Sequence, residues 1–368
     1  MRYRVTCLTP TLVGDGQKLS PIDYMVWKDH VNVLDQHRIL KLLSRGPRLE
    51  GYLGQLKKAE TLDFASWGGF AQNFAGRRIP FEHPTSIALW EKARAEQLFI
   101  STFAAGASGP YLPASALKGA LRTAAVSERW SEATLANLAN GLEDRLPRSF
   151  SVRAEDAVLG GSGNSRMKRV ALSDSNVIAY SGMKVYLLRV ATLVSKGPRQ
   201  SSDKLELGWQ GERGAVDSRK VDESTPIFAE MAAPGATFEG VWREQSDADR
   251  SKLFTAARHF AEALLDRHLD YAQRTGLARL SATIASLKTK LEQSSDRSCL
   301  LPIGWGGGLL GKSAYLKTED ESYRKILRKI PSYESAIRSG MPFPKTRHVV
   351  FEGAQPASLP GWVLLELE

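Results

Sequence analysis

Apolar side chains at every second position, Tyr3, Val5 and Cys7, predict that the chain opens on a β-strand with one covered face. That strand runs into Thr9-Pro10-Thr11-Leu12-Val13-Gly14-Asp15-Gly16, where two glycines permit a tight backbone excursion. Tyr24-Met25-Val26-Trp27 and Val31-Asn32-Val33-Leu34 read as short strands around Lys28-Asp29-His30, a hairpin-like return, and Asp35 is placed to cap a helix beginning near Gln36. From about Leu49 to Gln97 the pattern is largely helical and loop-like. Leu98-Phe99-Ile100-Ser101-Thr102-Phe103 predicts a further strand, and the helix after it should end near Trp130.

The second half opens β-rich. Val185 to Val194 is long and rich in β-branched residues, and Thr237 to Arg243 alternates between faces, with residues 196–224 forming a polar loop between them. Helical periodicity then takes over: Phe254, Ala257, Phe260, Ala261, Leu264 and Leu265 define one apolar stripe, and Leu277, Leu280, Ile284, Leu287 and Leu291 another after Gly276. Both stripes read as core. Ser298-Cys299-Leu300-Leu301, His348-Val349-Val350-Phe351 and Trp362-Val363-Leu364-Leu365 predict the last strands, and no fixed-period repeat is present.

Composition narrows the class. The chain has 368 residues, 42% hydrophobic and 24% charged, enough to bury a sizeable core and form two packed subdomains. No apolar run approaches a membrane span, and Met1-Arg2-Tyr3-Arg4-Val5 lacks the apolar core of a signal peptide, so a cytoplasmic location and no membrane partner are expected. Cys7 and Cys299 lack metal-type spacing and read as small buried apolar residues, leaving a zinc site, a disulfide and redox chemistry unsupported; no cofactor is expected. Fifty Lys and Arg against forty Asp and Glu give a formal charge of +10, which favours polyanionic partners, nucleic acid foremost.

The densest candidate chemistry lies in Leu112-Pro113-Ala114-Ser115-Ala116-Leu117-Lys118-Gly119-Ala120-Leu121-Arg122. Ser115 is placed to cap a first helical turn, and Lys118 and Arg122, four residues apart, share one helix face. Open N–H groups, the positive end of the helix dipole and a fork-shaped guanidinium would together suit a phosphate. An amphipathic helix whose cations face water is the alternative. Arg148, Arg153, Arg166, Lys168 and Arg169 surround Gly160-Gly161-Ser162-Gly163-Asn164-Ser165, a flexible tip that either reaches a ligand or is a plain surface excursion. Gly306-Gly307-Gly308-Leu309-Leu310-Gly311-Lys312-Ser313 satisfies the written Walker A spacing. A P-loop fold places that motif early, with several parallel strands after it, and little chain remains here. Nucleotide binding therefore competes with amides and Lys312 cradling the sugar–phosphate chain of RNA, and with a ligand-free turn.

Taken in order, the Gly14-Asp15-Gly16 loop, the Leu112 to Arg122 segment, Arg169-Val170-Ala171-Leu172-Ser173-Asp174-Ser175 and the Ile303-Gly304-Trp305-Gly306-Gly307-Gly308 loop resemble the RAMP proteins of CRISPR–Cas systems. Among them the chain is similar to the terminal backbone subunit of the type III-A (Csm) effector complex. Phe343-Pro344-Lys345-Thr346-Arg347 followed by Gly361-Trp362-Val363 is similar to that family's C-terminus. Where the family reads Pro-Gly-Ser-Ser at the helix entrance, this chain has Pro113-Ala114-Ser115-Ala116, losing a glycine and a hydroxyl. The resemblance implies an α+β fold with a RAMP core of one or two ferredoxin-like (RRM-like) units, helical insertions and a β-rich thumb. Residues 1–150 would hold the N-terminal core, 151–224 the thumb and connecting strands, and 225–368 the C-terminal ferredoxin-like half.

The resemblance also implies a non-catalytic CRISPR RNA-binding subunit that caps the guide 3′ end of an interference complex and contributes to antiviral defence and guide maturation. Its partners would be guide RNA, target RNA by proximity, a neighbouring RAMP backbone subunit and the small helical subunit. The expected RNA-binding residues are Gly14, Gly16, Lys18, Ser115, Lys118, Arg122, Arg166, Lys168, Arg169, Gly306, Gly307, Gly308, Lys312 and Arg347. They would read phosphate, sugar and strand shape while base pairing supplies specificity. Asp23, in Ser20-Pro21-Ile22-Asp23-Tyr24, falls roughly where related backbone subunits carry an acidic residue that helps cleave target RNA; turn capping is its other reading. A RAMP endoribonuclease acting on guide or target RNA would need a base such as histidine, and His30, His37, His83, His259, His268 and His348 do not flank the glycine loops in sequence.

Overall fold

The computed structural model describes residues 1–44, 48–58, 74–142, 146–160, 166–195, 205–212 and 217–368. Its first part runs β1 (Arg2–Cys7), β2 (Lys18–Leu19), β3 (Tyr24–Trp27), β4 (His30–Leu34), α1 (Gln36–Leu43), α2 (Arg48–Lys58), β5 (Ala75–Pro80), α3 (Pro84–Lys92), β6 (Ile100–Ser101), β7 (Ala105–Gly106), β8 (Gly109–Pro110), α4 (Ala114–Ser127), α5 (Glu132–Asn140) and α6 (Phe150–Leu159). Next come β9 (Val170–Leu172), β10 (Met183–Ser195), β11 (Leu205–Trp209), β12 (Ile227–Ala232), β13 (Thr237–Glu244), α7 (Asp247–Arg274) and α8 (Ala278–Glu292). The chain closes through β14 (Ser298–Pro302), α9 (Gly308–Lys312), α10 (Glu321–Arg328), α11 (Pro331–Arg338), β15 (Thr346–Glu352), β16 (Gln355–Ser358) and β17 (Trp362–Leu367).

One sheet, in the order β14-β17-β1-β13-β9, is antiparallel throughout. It draws β1 from the first 150 residues, β9 from the middle of the chain and its other strands from residue 237 onward, so the chain's two ends meet at its centre. The alternation of β1 holds: Tyr3, Val5 and Cys7 are buried. A second sheet, β16-β15-β10-β12-β6-β2, is organised by β10, whose Leu187 pairs with Phe228 on one side and Phe351 on the other. β10 is apolar on both faces because both are covered. A small third sheet, β3-β4-β5, carries the expected hairpin, and Asp35 caps α1 by accepting from Arg38 N–H at 2.9 Å. This sheet is tied to the second one by Arg77 on β5, which donates to both oxygens of the fully buried Glu230 at 2.6 and 3.0 Å. Burial pushes the Glu230 carboxyl up while Arg77 pulls it down, and the burial prevails.

Both helical stripes are core. All six residues of the first and all five of the second are buried, and the Phe254 ring meets Trp242 edge-on at 5.8 Å. α7 packs between α4 and α8 and against β14, which fixes α4 relative to the strand leading into the glycine-rich bend. Cys7 and Cys299 are free and buried, and burial pushes the Cys7 thiol up to about 12.

Three expectations need correction. β5 lies in the stretch read as helical and loop-like; it pairs with β4, and its Arg77 and Arg78 conceal the alternation. The strand expected over Leu98–Phe103 shrinks to Ile100–Ser101. The polar loop contains β11, paired with β10; its residues 196–204 and 213–216 lie outside the described residues, as do residues 161–165 of the glycine-rich tip. Among the described residues no helix is long and apolar enough to cross a membrane.

Candidate nucleic-acid interface

The bend after β1 and the bend after β14 meet. Leu12 C=O accepts from Trp305 N–H at 2.8 Å, and Gly304, at φ +66°, lies so near that a Cβ there would stand 2.0 Å from the same oxygen. Only glycine accommodates both the backbone angle and the approach. Ile303 N–H to Gly361 C=O at 2.8 Å and Gly361 N–H to Pro10 C=O at 2.9 Å continue the seam.

The first two turns of α4 face this seam across a cleft of about 370 Å³, lined among others by Gly14, Ser115, Gly119, Gly304, Trp305, Gly307 and Lys312. A second cleft, of about 420 Å³, lies between α4 and α6 and is lined by Ser115, Lys118, Gly119, Arg122, Glu155, Gly160 and Lys168. Ser115 and Gly119 floor both, and a Cβ on Gly119 would meet nothing within 4 Å. The two clefts are therefore one groove that crosses α4 over a saddle of small side chains. Exposed Lys312 stands at one end and exposed Lys168 at the other.

Within this groove the expected residues have definite partners. Ser115 does not cap α4: the cap position is Pro113, whose side chain has no acceptor to offer, and Ser115 sits inside the helix. Asp174 Oδ1 takes the Ala114 N–H instead, at 2.8 Å, and Ser175 Oγ takes Leu112 N–H at 2.8 Å. Lys118 Nζ donates to Val170 C=O at 2.8 Å, and Arg122 donates to both carboxylate oxygens of Glu155. Arg169 pairs with Asp249 at 3.4 Å, outside the lining of both clefts, and follows Lys168 in the turn Arg166–Arg169. Gly306 and Gly307 belong to a short turn, Gly304–Gly307, and Gly308 opens α9 at φ +52°. Gly16, at φ +92°, and exposed Lys18 on β2 lie beyond the cleft lining.

Arg347 is a structural residue rather than a groove cation. Its Nε donates to His268 Nδ1 at 3.1 Å, Nη1 donates to the carbonyls of Pro344 and Thr346 at 2.9 and 2.8 Å, and its guanidinium lies over the Tyr271 ring at 4.6 Å. Burial lowers it to about 10. Burial first, then Arg347, holds His268 well below the ordinary histidine range, so His268 is the neutral acceptor of this pair.

The Walker A spacing does not make a P-loop. β14, which leads into it, is the edge of an antiparallel sheet, and the glycines form one tight turn before a five-residue helix. A P-loop needs a parallel sheet behind a long helix. Asp23 accepts from Ser20 N–H at 2.7 Å and Ser20 Oγ–H at 2.6 Å, which is the geometry of its turn-capping reading. Among the described residues no group of three His, Cys, Asp or Glu could hold a metal ion.

Four participants escaped the sequence. Trp305 was visible only as part of the glycine motif, Glu155 and Asp174 come from elements 33 and 60 residues away from their partners, and His348 joins from β15. The His348 ring lies 5.8 Å from Trp305, tilted by 30°, and burial together with Lys312 lowers its pKa.

A model of the RAMP superfamily matches residues 4–310. No curated protein matches the chain. Among solved structures it is similar, over 100% of both chains, to a chain of a Csm–crRNA–target RNA ternary complex from a type III-A CRISPR–Cas system, with 19% identity and a TM-score of 0.69. It is also similar to Csm5 of T. onnurineus, with 17% identity and a TM-score of 0.62, over 98% of this chain and 99% of that one. At these identities the likeness is one of fold.

Proposed function

The chain belongs to the RAMP superfamily, and from that premise we propose that it is a non-catalytic RNA-binding subunit of a type III-A CRISPR effector complex, capping the backbone at the guide 3′ end. The observation that carries this reading is the groove in which Gly14, Ser115, Gly119, Gly304, Gly307 and Lys312 converge. Its walls offer main-chain groups, small side chains and a cation, with one indole, Trp305. Such a surface suits phosphate and ribose and stacks any base alike, which is what a subunit holding guides of varying sequence requires.

Lys118, Arg122 and Lys168 continue the track beyond the saddle, with Arg169 next to Lys168 in sequence. The fold likeness to a chain of a Csm–crRNA–target RNA complex supports this assignment; on it, the partners are guide RNA, target RNA by proximity, a neighbouring backbone subunit and the small helical subunit. On this reading residues 1–150 and 225–368 each contribute a ferredoxin-like unit, and 151–224 the thumb and the connecting strands, β10 among them. The test is a titration of labelled single-stranded RNA at several salt concentrations. Lys312→Ala should weaken binding and reduce the slope of log affinity against log salt by about 0.7, the share of one phosphate contact. Unchanged affinity and slope reject the groove; steady cleavage of the bound RNA rejects the non-catalytic part.

A further inference from the structure

Along α4, the donors best placed for phosphate are already held by the chain's own carboxylates. Arg122 donates through Nε and Nη2 to both oxygens of Glu155, and the Ala114 N–H is held by Asp174. A carboxylate presents to a guanidinium the same two-oxygen edge that a phosphate does. Unlike Glu230, which is fully buried against Arg77 and acts as a strut, Glu155 lies in an open cleft, with Arg122 half-exposed. Of the α6 side chains only Leu159 is fully buried, so the helix carrying Glu155 is lightly anchored.

We propose that Glu155 and Asp174 are internal stand-ins for phosphate, and that they make the groove selective for a polyanionic strand over an isolated phosphate or mononucleotide. This rests on the RNA-binding reading above. A tethered carboxylate competes at an effective concentration in the millimolar range, so a free phosphate below that level does not displace it. A strand whose neighbouring phosphates sit in the Gly14–Lys312 half of the groove is itself tethered. It delivers its next phosphates to Arg122 and Ala114 at a comparable effective concentration and takes their place. Exchange is cheap because a solvent-reached ion pair is weak.

The test uses the full chain with a short fluorescein-labelled oligouridylate as probe and AMP as competitor. Glu155→Gln and Asp174→Asn keep the shape and an acceptor while removing the charge. Glu155→Gln should tighten oligouridylate binding about two- to fivefold, the worth of an exposed ion pair, and let AMP compete at lower concentration. Asp174→Asn should act in the same direction. In an Arg122→Gln background the effect of Glu155→Gln should vanish, which a purely structural role for Glu155 would not produce. Unchanged or weaker binding by Glu155→Gln, while Lys312→Ala still weakens it, overturns this inference and leaves the RNA reading standing. Failure of the unaltered chain and every variant to bind oligouridylate overturns both.

Discussion

Gly119 offers the cleanest separation of stability from binding. It lies within α4 at the saddle shared by both clefts, and nothing stands within 4 Å of an added Cβ. A mid-helix glycine costs about 0.8–1 kcal/mol relative to alanine, so Gly119→Ala should stabilise the chain by that amount and raise Tm by about 1 °C. Gly119→Leu retains nearly all of that gain, because leucine is almost as good a helix former, and the open space spares it a clash. Its branched side chain would stand in the passage between cleft volumes of about 370 and 420 Å³ and divide the groove. A strand excluded from one half loses several phosphate contacts, so RNA affinity should fall at least about tenfold, or 1.4 kcal/mol. Thermal unfolding and fluorescence anisotropy with labelled RNA measure the two effects on the same samples. A Gly119→Leu chain that is as stable as the unaltered one and binds RNA equally well refutes the groove as the RNA path.

Further predictions concern the seam and the buried charges. Gly304→Ala should destabilise the chain strongly and weaken RNA binding in whatever folds, because its Cβ would meet Leu12 C=O at 2.0 Å, whereas Gly308→Ala, in open space, should cost less, about 1–3 kcal/mol, for a backbone at φ 52° and ψ −158° that only glycine adopts freely; denaturant titration ranks the two. Arg77→Met should cost about 3–5 kcal/mol by leaving Glu230 buried and unpaired, and adding Glu230→Met should restore much of it, read from the same titration. For His268 the folded pKa is depressed, so as pH falls through about 6.5 the unfolded chain takes up a proton that the folded chain refuses. Stability should be full above that pH and decline on acidification by up to about 1.4 kcal/mol per unit, and His268→Gln should remove that contribution in denaturant titrations at neutral and mildly acidic pH.

What the sequence made legible was set by period. β1, β10, β13 and the stripes of α7 and α8 repeat their apolar residues at two or about 3.6 positions and stand where that pattern puts them. β5 was hidden by two arginines, one of which is spent on a carboxylate more than 150 residues away. The glycine bends were legible as bends, but their joining through Trp305 N–H and Leu12 C=O depends on how the sheet containing β1 and β14 closes. Local rules erred where a distant residue did the work. Ser115 looked like a cap because Asp174, 60 residues after Ala114, was invisible as its partner, and Arg347 looked like a groove cation because His268 and Tyr271 lie on α7, far from β15 in sequence.

Photo-crosslinking of the chain to 4-thiouridine-labelled guide RNA, with the attached peptides identified by mass spectrometry, addresses the central claim most directly. The account requires attachment in the three segments that line the groove, Val13 and Gly14, Ser115 to Arg122 and Gly304 to Lys312. Attachment that avoids all three and gathers instead at the polar cleft around Arg94, Arg189 and Glu212 would contradict it.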